Sequence, residues 1–141
     1  MIINYKRLND NTCDDAYKIP NKDSLINFIQ GGKYFSQLDC KSGFWQIRLE
    51  EASKPWTMFS CSYGLYEWNV MSFGLKNVPH LSQGRMDNIF GKYSFVIVYI
   101  DDILVFYYTI QKHIKHLEFI FEKLITHGLI VSKKKLKLFK T

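Results

Sequence analysis

The sequence predicts an α+β fold with a mostly antiparallel sheet. Short runs of alternating apolar and polar residues recur along the chain, and each ends in turn residues. Two longer stretches keep helical spacing instead. Strands interspersed with helices and joined by short turns give the α+β class. The 141 residues fit one domain, and 47% hydrophobic content supplies a real core.

The elements follow in order. "NKDSLINFIQGG" reads as a short helix capped by Asn21 or Asp23, with Leu25, Ile26, Phe28 and Ile29 as its apolar stripe. Gly31 and Gly32 stop it. "YFSQLD" is strand-like and ends on Asp39, and "KSG" is a turn. "FWQIRLE" alternates, with Trp45, Ile47 and Leu49 on one face, and reads as a second strand. "WTMFSC", a turn at Gly64 and "LYEWNVM" form a hairpin. "NVPHLSQGRMDNIF" is a helix with Asn77 near its cap and Pro79 in its first turn. A strand–turn–strand spans "FVIVYIDDILVF". Residues 110–127 make the clearest helix, with Ile110, Ile114, Leu117, Phe121, Leu124 and Ile125 in register and Gly128 just beyond. "LIVS" and "LKLF" read as two closing strands.

The net charge is +6, which favours polyanionic partners such as nucleic acid or an anionic surface. Lys133, Lys134, Lys135, Lys137 and Lys140 concentrate that charge near the end. The lysine run is open to three readings: a nucleic-acid contact, a nuclear-localisation patch or a solvated face. Three widely spaced cysteines, Cys13, Cys40 and Cys61, indicate neither a disulfide framework nor a zinc ribbon, and a reducing compartment is expected. No apolar run has the length to span a bilayer, and no leader pattern is evident. His113 and His116 lie three apart on the long helix without further ligands in view, so no zinc site is expected there. Trp45, Trp56 and Trp68 could stack on bases, but their alternating segments place most of them in the core.

Asp101 and Asp102 interrupt an apolar run. Two adjacent buried carboxylates would repel, so the pair belongs at a hairpin tip facing a cleft. A solvated turn would look the same from these two residues alone. Asp39 also ends an apolar strand. If that strand lies beside the hairpin, three carboxylates converge at one sheet edge. Such a cluster suits magnesium, which prefers oxygen ligands, and two such ions clamp the oxygens of a phosphoryl transfer.

At "YIDDILVF" the chain resembles reverse transcriptases, whose signature is a Tyr-X-Asp-Asp hairpin. "FSQLDCKSGFWQIRLEEASKPWTMFSC", "YGLYEWNVMSFGLKNVP" and "RMDNIF" follow the family's order and spacing. "INYKRLNDNT" and "YKIPNKDSLI" extend the likeness over nearly the whole chain. "DCKSGFWQI" and "YEWNVM" resemble plant pararetroviruses of the caulimovirus–badnavirus type, with Ty3-like retrotransposons next. The resemblance implies a right-hand fold of which this chain is the palm with partial fingers. The fingers would be residues 1–33 and about 50–75, and the palm 34–49 and about 76–141. Thumb and RNase H segments are expected to be absent, as are the upstream basic residues of the fingers and the primer-grip strand.

The resemblance further implies an RNA-directed DNA polymerase acting on RNA or DNA template-primer and dNTPs, with no membrane partner. Asp39, Asp101 and Asp102 would hold two magnesium ions, with manganese as a substitute. Cys40, Lys41, Ser42, Gly43, Phe44 and Phe73 would line the nucleotide site, with the Phe44 ring under the incoming sugar. Gly74, Tyr99 and Ile100 would face primer and template. An inactive nucleic-acid-binding remnant is the alternative. Several positions depart from the family pattern. Ser72 and Val78 replace a proline and an alanine, Ser82 stands where an aromatic is usual, and Gly84 where a polar or basic residue is usual. Tyr107 takes the place of a small polar residue. Ser82 is expected to remove an apolar anchor.

Overall fold

The computed structural model describes residues 3–141; Met1 and Ile2, within the expected fingers portion, lie outside the described residues. The strands are β1 (Tyr34–Asp39), β2 (Phe59–Cys61), β3 (Gly64–Tyr66), β4 (Val96–Tyr99), β5 (Asp102–Tyr107) and β6 (Lys137–Lys140). The α-helices are α1 (Lys6–Asp10), α2 (Lys22–Phe28), α3 (Val78–Phe90) and α4 (Ile110–Thr126). A four-stranded antiparallel sheet runs in the order β4-β5-β1-β6, and β2-β3 is a separate hairpin.

The two-residue period of the strands divides the sheet into a covered and an open face. Leu38 and Cys40 from the β1 line, Val96 and Val98 from β4, and Ile103 and Val105 from β5 are buried on the covered face. Met86, Ile89 and Phe90 of α3 and Leu117, Ile120 and Leu124 of α4 complete this core. Each fully buried aliphatic side chain contributes roughly 1.5–3 kcal/mol. The other face carries Gln37, Asp102 and Leu104, and α2 crosses it, leaving a groove of about 370 Å³ beside Tyr99. Among the described residues no helix is long and apolar enough to cross a membrane.

The α+β class and its antiparallel sheet are as expected, and several local details differ. "FWQIRLE" is not a strand: Gly43–Gln46 is a 3-10 turn, and only Arg48 forms an isolated bridge, to Val70. Alternation makes a segment suitable for pairing, but a sheet neighbour must also be within reach. "LIVS" likewise gives a single bridge, Val131 to Cys40. Helix α1 carries no buried residue and no apolar stripe, so periodicity does not reveal it. On α2, Asn21 caps through Asp23 N–H as expected, but Ile26 and Phe28 are exposed. On α4 the buried stripe is His113, Leu117, Ile120 and Leu124, while Ile114 and Ile125 face outward. Trp45 and Trp56 are exposed rather than core.

Candidate active site

Strand β1 pairs antiparallel with β5 so that Asp39 lies directly opposite Asp102. On the other side of β5, Tyr99 pairs with Asp102, leaving Ile100 and Asp101 as a two-residue turn. Ile100 takes φ 56°, the positive value that such a tight hairpin turn demands at its first central position. A β-branched residue there is strained, so the surroundings must hold it. Gln83 of α3 does this. Its Oε1 accepts the Ile100 N–H at 2.7 Å, and its Nε2 donates to Val98 O at 3.1 Å and to Asp87 Oδ1 at 3.0 Å. The Cys40 N–H donates to Asp101 O at 2.9 Å, which fixes the turn against the end of β1.

The three carboxylates therefore gather at one sheet edge, and each has a separate side-chain partner. Lys135 Nζ lies 3.0 Å from Asp39 Oδ2. Ser82 Oγ donates to Asp101 Oδ1 at 3.1 Å. Gln37 Nε2 donates to Asp102 Oδ1 at 3.2 Å. Burial, followed by the charges of Asp39 and Asp102, pushes the Asp101 carboxyl above its ordinary range, and the Ser82 bond partly opposes this. The Cys40 thiol is pushed up to about 12 by burial and by Asp101 and Asp39, so it stays protonated. Its side chain turns into the core, which removes Cys40 from the expected nucleotide contacts.

The turn after Asp39 starts with Lys41, whose N–H donates to Ile130 O at 2.8 Å and is spent within the fold. Ser42 has φ 50°, and Gly43 opens the 3-10 turn. A Cβ at Gly43 would collide with the Asp101 carboxylate, so only glycine permits this approach. The half-buried Phe44 ring lies 5.5 Å from Phe73, and Phe73 is exposed. Gly74, at φ 94°, is anchored by Asn9 Nδ2, which donates to Gly74 O at 2.7 Å. Lys22 Nζ sits 5.2 Å from the centre of the Tyr99 ring.

Sequence reasoning missed Gln83, Gln37 and the placement of Lys135. A glutamine in an amphipathic helix looks solvated until its burial is seen, and Lys135 is one of five lysines in a run. Ser82 is not simply a lost anchor, since its hydroxyl reaches Asp101. Gly84 leaves room for the Tyr17 ring, 3.4 Å from where a Cβ would stand. His113 is buried with Nε2 2.8 Å from Ser36 Oγ. Among the described residues no three His, Cys, Asp or Glu side chains close into a ready metal cage.

The donor chemistry nonetheless fits a hard cation. Asp39 Oδ1, Asp101 Oδ2 and Asp102 Oδ2 receive no side-chain donor among the described residues, leaving three carboxylate oxygens for an oxygen-seeking ion. No three of these side chains already stand as a metal-binding group among the described residues, so reaching a common ion requires side-chain rotation.

Comparison with known proteins places this geometry. The model of the family described as "Reverse transcriptase (RNA-dependent DNA polymerase)" matches residues 1–141. The chain is 50% identical over 141 residues to the enzymatic polyprotein of Cauliflower mosaic virus (strain Strasbourg), covering 99% of this chain and 21% of that protein. It is 48% identical to polyprotein P3 of Commelina yellow mottle virus, covering 98% of this chain and 7% of that protein. The chain thus spans about a fifth or less of the length of these relatives. Among solved structures, the foamy viral protease-reverse transcriptase in complex with an RNA/DNA hybrid superposes with TM-score 0.91 at 26% identity, covering 97% of this chain and 19% of that one. A foamy viral protease-reverse transcriptase in complex with double-stranded DNA gives TM-score 0.93 at 26% identity, covering 99% of this chain and 25% of that one. The end-to-end family match and the half-identity to a caulimovirus polyprotein agree with the aspartate hairpin: the chain belongs to the reverse transcriptase family of RNA-dependent DNA polymerases, in its pararetrovirus-like branch.

Proposed function

We propose that this chain is the catalytic core of an RNA-directed DNA polymerase, joining dNTPs to a primer 3′-hydroxyl. The observation that supports this best is the pairing of Asp39 with Asp102 beside the Asp101 turn. The family uses divalent metal ions, and Asp39, Asp101 and Asp102 are the residues that would hold two magnesium ions or manganese in their place. Bound there, the ions would polarise the α-phosphate and the 3′-hydroxyl and neutralise the pyrophosphate that leaves. The β4-β5-β1-β6 sheet with α3 and α4 would be the palm, and α1, α2 and the β2-β3 hairpin part of the fingers.

Other residues take supporting roles in this reading. The Ser42 and Gly43 amides would meet the triphosphate. The Phe44 ring would exclude a ribose 2′-hydroxyl, with Phe73 fixing its tilt. Gly74 would lie against the templating pair, and Tyr99 and Ile100 against the primer end. The foamy viral relatives were solved with an RNA/DNA hybrid and with double-stranded DNA, which supports template-primer as the partner.

The test exchanges these 141 residues for the matching segment of the Cauliflower mosaic virus polyprotein and measures single-nucleotide incorporation on a primed RNA template. Incorporation that needs magnesium and disappears with Asp101→Asn is expected. Equal signal from the Asp101→Asn chimera overturns the catalytic assignment. Hybrid binding without incorporation would favour a binding remnant.

A further inference from the structure

Asp101 is engaged through its carboxylate by helix α3, at the sheet edge where Asp39 and Asp102 also end. Its Oδ1 accepts the Ser82 hydroxyl at 3.1 Å, and its carboxylate rests against Gly43. Asp39 and Asp102 instead lie opposite one another on neighbouring strands, with partners Lys135 and Gln37. Ser82 is 3% exposed, within α3, and lines a small void with Cys40, Gly43, Arg85, Met86 and Asp101. The Ser82 hydroxyl is the side-chain donor to the Asp101 carboxylate among the described residues. No aromatic side chain could supply the aliphatic hydroxyl that holds it.

We propose that Ser82 is a positioning residue that latches the Asp101 carboxylate toward α3, so that cation binding must compete with the Ser82 bond. The inference rests on the proposed cation role of the three aspartates. Two features of the site act together. Ser82 supplies a charge-assisted hydrogen bond that compensates the half-buried carboxylate. Gly43 supplies the space, because any Cβ there would displace the carboxylate. Ser82 and Gly43 therefore set cation affinity without themselves contacting the ion through a side chain.

The test is Mn²⁺ titration of the 141-residue chain, read by loss of the free-ion electron paramagnetic resonance signal. Ser82→Ala removes the latch and is expected to tighten Mn²⁺ binding about tenfold, the scale of one hydrogen bond to a charged group. Ser82→Thr keeps the hydroxyl and is expected to stay within about twofold of the natural chain. Gly43→Ala collides with the carboxylate, displaces it from its place beside Ser82 and is expected to tighten binding too. The Ser82→Ala, Gly43→Ala double variant then gains less than the sum, because both act on one contact. Asp101→Asn separates the two levels. If it abolishes tight binding while Ser82→Ala leaves it unchanged or weaker, the latch is overturned and the cation site stands. If Asp101→Asn changes nothing, the cation reading falls and the latch with it.

Discussion

Gln83 carries more of the site than any residue outside the three aspartates. It is fully buried, and its amide serves three partners: the Ile100 N–H, Val98 O and Asp87 Oδ1. The Ile100 bond matters most, because it holds a β-branched residue at φ 56°. Gln83→Ala would leave a half-buried N–H and a buried carbonyl unpaired, each costing roughly 1–3 kcal/mol. A loss of about 2–4 kcal/mol in urea unfolding is expected. A loss under about 1 kcal/mol would show that the turn holds without its clamp. Gln83 was illegible because sequence gives polarity but not burial. Ser82 was legible only as a departure, since what a small hydroxyl does depends on which carboxylate lies above it. The aspartates were legible because each ends or interrupts an apolar run, and few other placements of a carboxylate in such a run are tolerable.

At the level of elements, helix α4 was readable from its spacing, but the face it buries was not. His113 sits in the centre of that face, where a charge pattern would predict a polar edge. Its Nε2 lies 2.8 Å from Ser36 Oγ, which also accepts the Phe139 N–H at 3.1 Å. One serine thus ties α4, β1 and β6 together. Burial holds His113 below its ordinary value of 6.5, with His116 adding to the effect. Burial, then Lys112, lowers His116 as well. The unfolded chain therefore takes up protons that the folded chain refuses, so stability is full above pH 6.5 and falls as pH drops below it. Asp101 acts in the opposite direction: its raised carboxyl takes up a proton in the folded state before the unfolded chain does, so as pH falls toward 3.8 it relieves a cost of the folded state and partly offsets the histidines. Thermal unfolding between about pH 7.5 and 5.5 should show a falling midpoint, flattened in the His113→Gln, His116→Gln double variant. An unchanged slope in that variant would assign the acid sensitivity elsewhere. The failed strand at "FWQIRLE" teaches a related lesson. Gln46 Nε2 donates to Lys41 O and Ile130 O, and Arg85 Nη1 donates to Gln46 O. Side-chain and backbone groups outside any sheet hold this segment, and alternation cannot reveal where a segment's hydrogen-bonding partners lie.

For the whole molecule, composition and order of elements were enough to set the α+β class, because the core requires one apolar sheet face and two amphipathic helices to meet. What composition could not show is how charge is distributed. The net +6 conceals an acidic edge at Asp39, Asp101 and Asp102 directly beside the basic run before and within β6. Lys135 spans the two, paired with Asp39 at 3.0 Å, while Lys133 and Lys134 are exposed with no salt bridge among the described residues. That division assigns different work to neighbouring lysines. Lys135 compensates a carboxylate, so its loss perturbs the site itself. Lys133 and Lys134 are free to meet phosphates, and each phosphate contact releases counterions and steepens the salt dependence of binding by about one unit of log–log slope. The Lys133→Gln, Lys134→Gln double variant should therefore weaken hybrid binding at low salt by a similar factor for every sequence, and lower the slope by about two. Fluorescence anisotropy with an RNA/DNA hybrid between 50 and 200 mM salt, roughly the range over which such slopes are read, measures both effects. An unchanged slope would mean that the run is a solvated face and that nucleic acid follows another path across the molecule.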